Sequence, residues 1–182
     1  LHMPSHIFTR LGLWDEAVQS NINSMTAAKC YAENSGIQGH WDEELHGLDY
    51  LVYAYLQEAR DDKAKEQLDY LRSMPSVFAT NNKDAYTMAP VPTRYALERK
   101  NWAEAAALEL KPADFPWNDY PWERSIVSFG RLLGAVHTKK TDVANDALAE
   151  LKVNHAQLVS SKKAYEANQV QIQITASEAW MK

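Results

Sequence analysis

Four alanines place the strongest constraint on what this chain can fold into. Ala17, Ala64, Ala105 and Ala144 each open an apolar stripe of helical spacing, and they lie 47, 41 and 39 residues apart. The stripe Leu45, Leu48, Leu51, Val52, Tyr55 and Leu56 is followed by the polar break Arg60-Asp61-Asp62 and then by Ala64, Leu68 and Leu71. The same grammar returns at Ile126, Phe129, Leu133 and Val136, with a break over 138–142 and then Ala144, Leu148 and Leu151. Asp62, Ala64, Leu68 and Leu71 therefore superpose on Asp142, Ala144, Leu148 and Leu151 with a constant offset of 80 residues. Apolar residues three and four apart form one face of a helix. Two such faces close on each other only where one side chain at the crossing is small, which is the physical reason for the alanine.

The register predicts an all-α fold of about 8–9 helices, arranged as antiparallel helical hairpins stacked into a right-handed superhelix. The expected hairpins cover about 1–35, 40–74, 83–110 and 119–160, with a final helix over 162–181, all in a single domain spanning 1–182. Residues 75–92 hold Pro75, Pro90 and Pro92, which predicts a kinked or late first helix in the third pair, because proline removes a donor and restrains its predecessor. Pro112, Pro116 and Pro121 are interleaved with Phe115, Trp117, Tyr120 and Trp122, which predicts a rigid loop whose aromatics lie against the helices. Helical periodicity is under way at position 1 and still running at Trp180, so the segment reads as part of a longer array. Six glycines against nineteen aromatic residues fit interlocked helices better than a sheet or a phosphate-cradling loop.

The strings Leu11-Gly12-Leu13-Trp14-Asp15-Glu16-Ala17 and Arg99-Lys100-Asn101-Trp102-Ala103-Glu104-Ala105, with leucines four and seven residues after Ala64 and Ala144, resemble the tetratricopeptide repeat. The spacings exceed the 34 residues usual in that family. The resemblance therefore implies divergent, loop-bearing repeats. His2-Met3-Pro4-Ser5-His6-Ile7-Phe8, Leu48-Asp49-Tyr50-Leu51-Val52-Tyr53 and Arg94-Tyr95-Ala96-Leu97-Glu98-Arg99 resemble a group of large, functionally uncharacterised bacterial tetratricopeptide-repeat proteins. That likeness implies a scaffold role and supplies no catalytic residues.

A net charge of −5 offers no general attraction to nucleic acid, and the longest apolar run, Leu48 to Leu56, is about half a membrane span. The lone Cys30 excludes an internal disulfide and leaves cytoplasm and periplasm equally open. Neither a nucleophile elbow nor a glycine-rich phosphate loop occurs, so no cofactor is expected and the first reading is non-catalytic. Oligomeric state leaves no mark. The first helices of stacked hairpins line a concave face, where Asn21, Tyr50, Tyr53, Tyr86, Arg94 and Tyr95 would meet a protein or peptide partner.

The histidines carry the rival reading, a metal-binding protein or metal-dependent enzyme. His2 and His6 have the four-residue spacing of a zinc protease helix, but Met3 stands where the glutamate is needed and Pro4 leaves His2 outside the helix. His40, Glu43 and His46 recur every three residues, and Glu43-x-x-His46 matches one half of a diiron motif without its second copy. Convergence of His2, His6, His40 and His46 on one point would favour the metal; dispersal would favour the scaffold.

Overall fold

The computed structural model describes residues 1–182 and holds ten α-helices joined mostly by one recurrent turn. In chain order they are α1 (Ser5–Leu11), α2 (Trp14–Asn34), α3 (Asp42–Gln57), α4 (Asp61–Ser73), α5 (Asn82–Met88), α6 (Pro90–Glu98), α7 (Trp102–Ala106), α8 (Pro121–His137), α9 (Thr141–Ser160) and α10 (Ala164–Trp180). A single 3-10 turn covers Trp117–Asp119, and the only extended pairing is β1 (His40–Trp41) beside β2 (Val77–Phe78), parallel and two residues long. The fold is all-α.

Each of the four alanines is the fourth residue of its helix, α2, α4, α7 or α9, and each is almost wholly buried. Two residues before those helices stands a left-handed residue: Gly12, Ala59, Lys100 or Lys139. The next amide then bonds back five residues, Leu13 to Phe8, Arg60 to Tyr55, Asn101 to Ala96 and Lys140 to Ala135. This is the Schellman closure: it satisfies the last carbonyls of one helix and leaves a single residue before the next begins. A fifth copy joins α9 to α10, where Lys162 takes a φ of 58°, Lys163 bonds back to Leu158, and Ala167 is the fourth residue of α10.

The helices form two compact units, Leu1–Val91 and Pro92–Lys182, where the sequence predicts one domain. In the first, α1 packs on α2, α2 on α3, and both α4 and α5 on α3. Its core is Leu45, Leu48, Val52 and Leu68, all inaccessible to solvent. Asn81 caps α5 in a reciprocal capping box with Asp84, and the Thr87 hydroxyl donates to the Leu45 carbonyl at 3.1 Å, which ties α5 to α3.

In the second unit α8 packs on α7 and α9, and α10 packs on both α8 and α9. Leu132, Ala135, Ala147, Leu151, Leu158 and Val170 make its core. Gly134 permits the closest approach: a Cβ there would lie 2.2 Å from the Ala106 amide nitrogen. The expected break in the third hairpin falls at Ala89-Pro90, between α5 and α6, as proline's missing N–H requires. Phe115 and Trp117 are buried, and the Trp117 indole donates to the Pro112 carbonyl, so the aromatics of that loop do lie inward.

Candidate metal centre

Three histidines from two separate stretches of the first unit meet at one point. His2 precedes α1, His6 is the second residue of α1, and His46 lies in the second turn of α3. The tight turn at Gly12 folds α1 back along α2, and the Ser20 hydroxyl donates to the Leu1 carbonyl at 2.6 Å, which fixes the segment before α1 on α2. One donor atom from each of His2, His6 and His46 falls within 4.8 Å of the others. Ring centroids are 4.7 Å apart for His2 and His6, 4.3 Å for His2 and His46, and 6.2 Å for His6 and His46. Tyr50, one turn after His46 on α3, stands edge-on to all three rings.

The hydrogen bonds assign the tautomers. Asn21 is fully buried on α2 and donates its amide N–H to the Ala17 carbonyl at 2.8 Å, so its Oδ1 is the atom facing His2. His2 Nδ1 therefore carries the proton and donates to Asn21 Oδ1 at 2.8 Å, which leaves Nε2 as a lone pair. His6 Nε2 approaches that lone pair at 3.1 Å, and the Tyr50 hydroxyl sits 2.8 Å from His6 Nδ1. Without metal, one proton order satisfies every group: Tyr50 donates to His6, His6 to His2, and His2 to Asn21. For His6 Nε2 to serve as a metal ligand, the ring proton would have to sit on Nδ1, where the Tyr50 oxygen could accept it. Two imidazole nitrogens on one tetrahedral zinc stand about 3.3 Å apart, given bonds of about 2.0–2.1 Å. The 3.1 Å between His2 and His6 is close to that value.

All three rings are half-buried. Burial holds His2 and His46 below the ordinary histidine pKa, and the neighbouring rings push the same way. The His2 bond to Asn21 opposes the shift on His2, and the Asp49 and Glu43 carboxylates oppose it on His46. Both side chains thus favour the neutral form that ligates metal. Glu43 pairs with Lys83, which also reaches the buried Asp42 carboxylate at 3.5 Å.

The sequence-predicted residues separate into groups. His2, His6 and His46 converge, whereas His40 does not join them: β1 holds it before α3 begins, and its Nδ1 faces Glu44 at 3.1 Å. Glu43 is on the same α3 turn as the centre but spends its carboxylate on Lys83. Asn21 and Tyr95 are withdrawn from solvent, so they offer no surface to a peptide. Tyr50 belongs to the histidine cluster, Tyr53 packs edge-on against Trp14, and Tyr86 and Arg94 are half-buried in separate units.

Sequence reasoning passed over a second polar knot in the first unit. Buried Glu44 accepts from the Tyr70 hydroxyl at 2.5 Å and faces His40 at 3.1 Å and Lys29 at 3.6 Å, while Lys29 lies over the Tyr70 ring. Burial and the Glu44 carboxylate both raise the Tyr70 pKa. Every member has a partner within the group, so the knot joins α2, β1, α3 and α4. The sole sequence signal for it was the i, i+4 pair His40 and Glu44.

No helix is long and apolar enough to cross a membrane. In the comparisons with known proteins no family model, no curated protein and no solved structure matches the chain.

Proposed function

We propose that the first unit is a metal-binding domain in which His2, His6 and His46 hold one zinc-class transition-metal ion. The observation that carries this reading is the convergence of three imidazoles within 4.8 Å, backed by oriented partners for two of them. Outer partners of this kind fix ring orientation and raise ligand basicity at metal sites. Zinc, copper and nickel suit an all-imidazole set better than calcium or magnesium, which prefer oxygen donors. The helical hairpins, read as divergent repeats of tetratricopeptide type, serve as the rigid frame that brings α1 and α3 together.

The test is a calorimetric titration of the metal-free protein with zinc, copper and iron. One equivalent of zinc or copper should bind, and binding should vanish in a His2→Ala/His46→Ala variant that keeps its helical circular dichroism. Absence of stoichiometric binding by the folded protein would sink the proposal.

A second reading, a protein- or peptide-binding scaffold, draws on a different observation. Val153, Val159, Tyr165, Ile172 and Trp180, on α9 and α10 of the second unit, are each more than half exposed. Exposed apolar side chains on neighbouring helices suit a partner surface. Capture of the same protein by the wild-type chain and by an Ile172→Glu/Trp180→Glu variant would remove this role.

A further inference from the structure

Building on the reading of a three-histidine metal centre, we propose that the bound metal keeps its fourth coordination position open to solvent, where a water molecule sits and a small anion replaces it. The centre would then be a Lewis-acid site and not a structural clip. Structural zinc sites are closed by four protein ligands, whereas reactive ones present three ligands and an exchangeable position.

Three features of the centre assign it to the second class. The converging donors number three, and all come from half-buried rings, His2 ahead of α1, His6 on α1 and His46 on α3. The polar side chains nearest the rings are already committed: Asn21 Oδ1 to His2, Asn21 Nδ2 to the Ala17 carbonyl, and the Tyr50 hydroxyl to His6 Nδ1. Cys30, the one thiol in the chain, is exposed on α2 and takes its own hydrogen bond from Asn34. Three neutral imidazoles also leave the charge of a divalent ion uncompensated among its ligands. The carboxylates that balance it act from outside: Asp49 and Glu43 both act on His46, and Glu43 acts on His2 as well. Glu43 lies one turn before His46 and is paired with Lys83, so it acts on the centre through its charge and not by contact. Its role is that of a positioning residue whose negative charge disfavours an incoming anion.

Cobalt(II) makes the open position visible, because its visible absorption changes with coordination. The metal-free protein is loaded with one equivalent of cobalt and titrated with sodium azide. Intense bands of four-coordinate cobalt should appear, and azide should shift them along a saturable curve. In Glu43→Gln, cobalt affinity should hold within about threefold while azide binds about fivefold more tightly, since one nearby negative charge is gone. Bands that azide leaves untouched would overturn the open position while sparing the metal site. A folded protein that develops no cobalt bands would instead overturn the metal reading on which this inference stands. Equal azide affinity in the wild type and Glu43→Gln would remove Glu43 from the role assigned to it.

Discussion

The two units share one turn and differ in what they bury. Both close their hairpins with a left-handed residue and an inward alanine at the fourth helical position. The first unit then buries Asp42, Glu44, Asp49 and Asp84, while the second buries only Glu123 among its carboxylates. A buried ionisable group costs stability unless it is partnered, and such groups collect where chemistry is done. The second unit buries neutral groups instead: leucine, alanine and valine dominate its interior, with Ser125, Asn154 and Ser177 among them, and Gly134 lets α8 lie against the backbone of α7. The hairpin is common to both units, whereas buried carboxylates accompany the proposed metal site in the first.

The largest expected effect tests that division directly. His46→Ala should lower zinc affinity by more than about a hundredfold, since loss of an outer partner alone commonly costs about 10–100-fold. Zinc should raise the unfolding free energy of the first unit in the wild type, by mass action on the native state, and leave the second unfolded at the same denaturant concentration. Native-state hydrogen exchange separates the two, because amides of α3 and α9 report different units. Equal zinc protection of both helices would break the comparison.

Next in size is a pair of glycines, one from each unit. Gly134→Ala would drive a Cβ to 2.2 Å from the Ala106 nitrogen and 2.7 Å from the Ala105 carbonyl carbon, where backbone has to move. At Gly47 the nearest atom is the Met25 Cγ at 2.8 Å, the middle of a flexible side chain, with the Asn21 carbonyl oxygen beyond it at 3.6 Å. Overpacking costs about 1–3 kcal/mol and more where nothing can yield. Urea denaturation should show a loss of about 3 kcal/mol for Gly134→Ala and about 1 kcal/mol for Gly47→Ala. A reversed order would mean that the second unit is the looser one.

Acid sharpens the contrast from another side. Asp84 is desolvated beside Asp42, and its pKa is raised from 3.8 to about 6. The folded state therefore takes up a proton before the unfolded state does, so this group's contribution to stability grows as pH falls from above 6 towards 4. His2 and His46 act in the opposite sense: their folded pKa values lie below 6.5, the unfolded chain protonates first, and the metal-free protein loses stability as pH falls through 6.5. Asp84→Asn mimics the protonated carboxyl and can still accept from the Asn81 amide. It should be more stable than wild type at pH 7 by about 1–3 kcal/mol, taking about 1.4 kcal/mol per pKa unit, and the gain should fade towards pH 4. A constant difference across that range would assign the effect to packing.

How much of this could be read from the sequence follows from the range of each signal. Ala17, Ala64, Ala105 and Ala144 were legible because a helical period repeats within a few residues and the small side chain stands out against the leucines after it. The fifth turn was harder to see: Ala167 is followed at four and seven residues by Gln171 and Ile174, where Ala64 and Ala144 have leucines. His2, His6 and His46 could be named as metal-capable, but their meeting depends on how α1 folds along α2, which no local spacing encodes. Pro4 does keep His2 out of α1, as expected; the Ser20 bond to Leu1 nevertheless returns it to His6. His40 recurs with Glu43 and His46 every three residues, but α3 starts only at Asp42, and His40 faces Glu44 instead. The two-unit division has no compositional mark, because α6 runs through the boundary at Val91 and Pro92 without a linker.

The smallest effect concerns the turn both units share. Gly12 adopts its φ of 71° freely, while Ala59, Lys100, Lys139 and Lys162 hold values of 53–58° with a Cβ that crowds the carbonyl. Lysine at the end of a helix is compensated in part by the dipole, since its charge lies at the helix's negative end. Alanine at 59 has no such compensation. Ala59→Gly should therefore stabilise the first unit by about 0.5–1 kcal/mol, and Lys139→Gly should stabilise the second by less, with the gap narrowing at high salt as the lysine charge is screened. Thermal unfolding at low and high ionic strength reads both. Equal gains for the two variants at low salt would show that the left-handed lysines owe nothing to the dipole and that the turn costs the same wherever it is used.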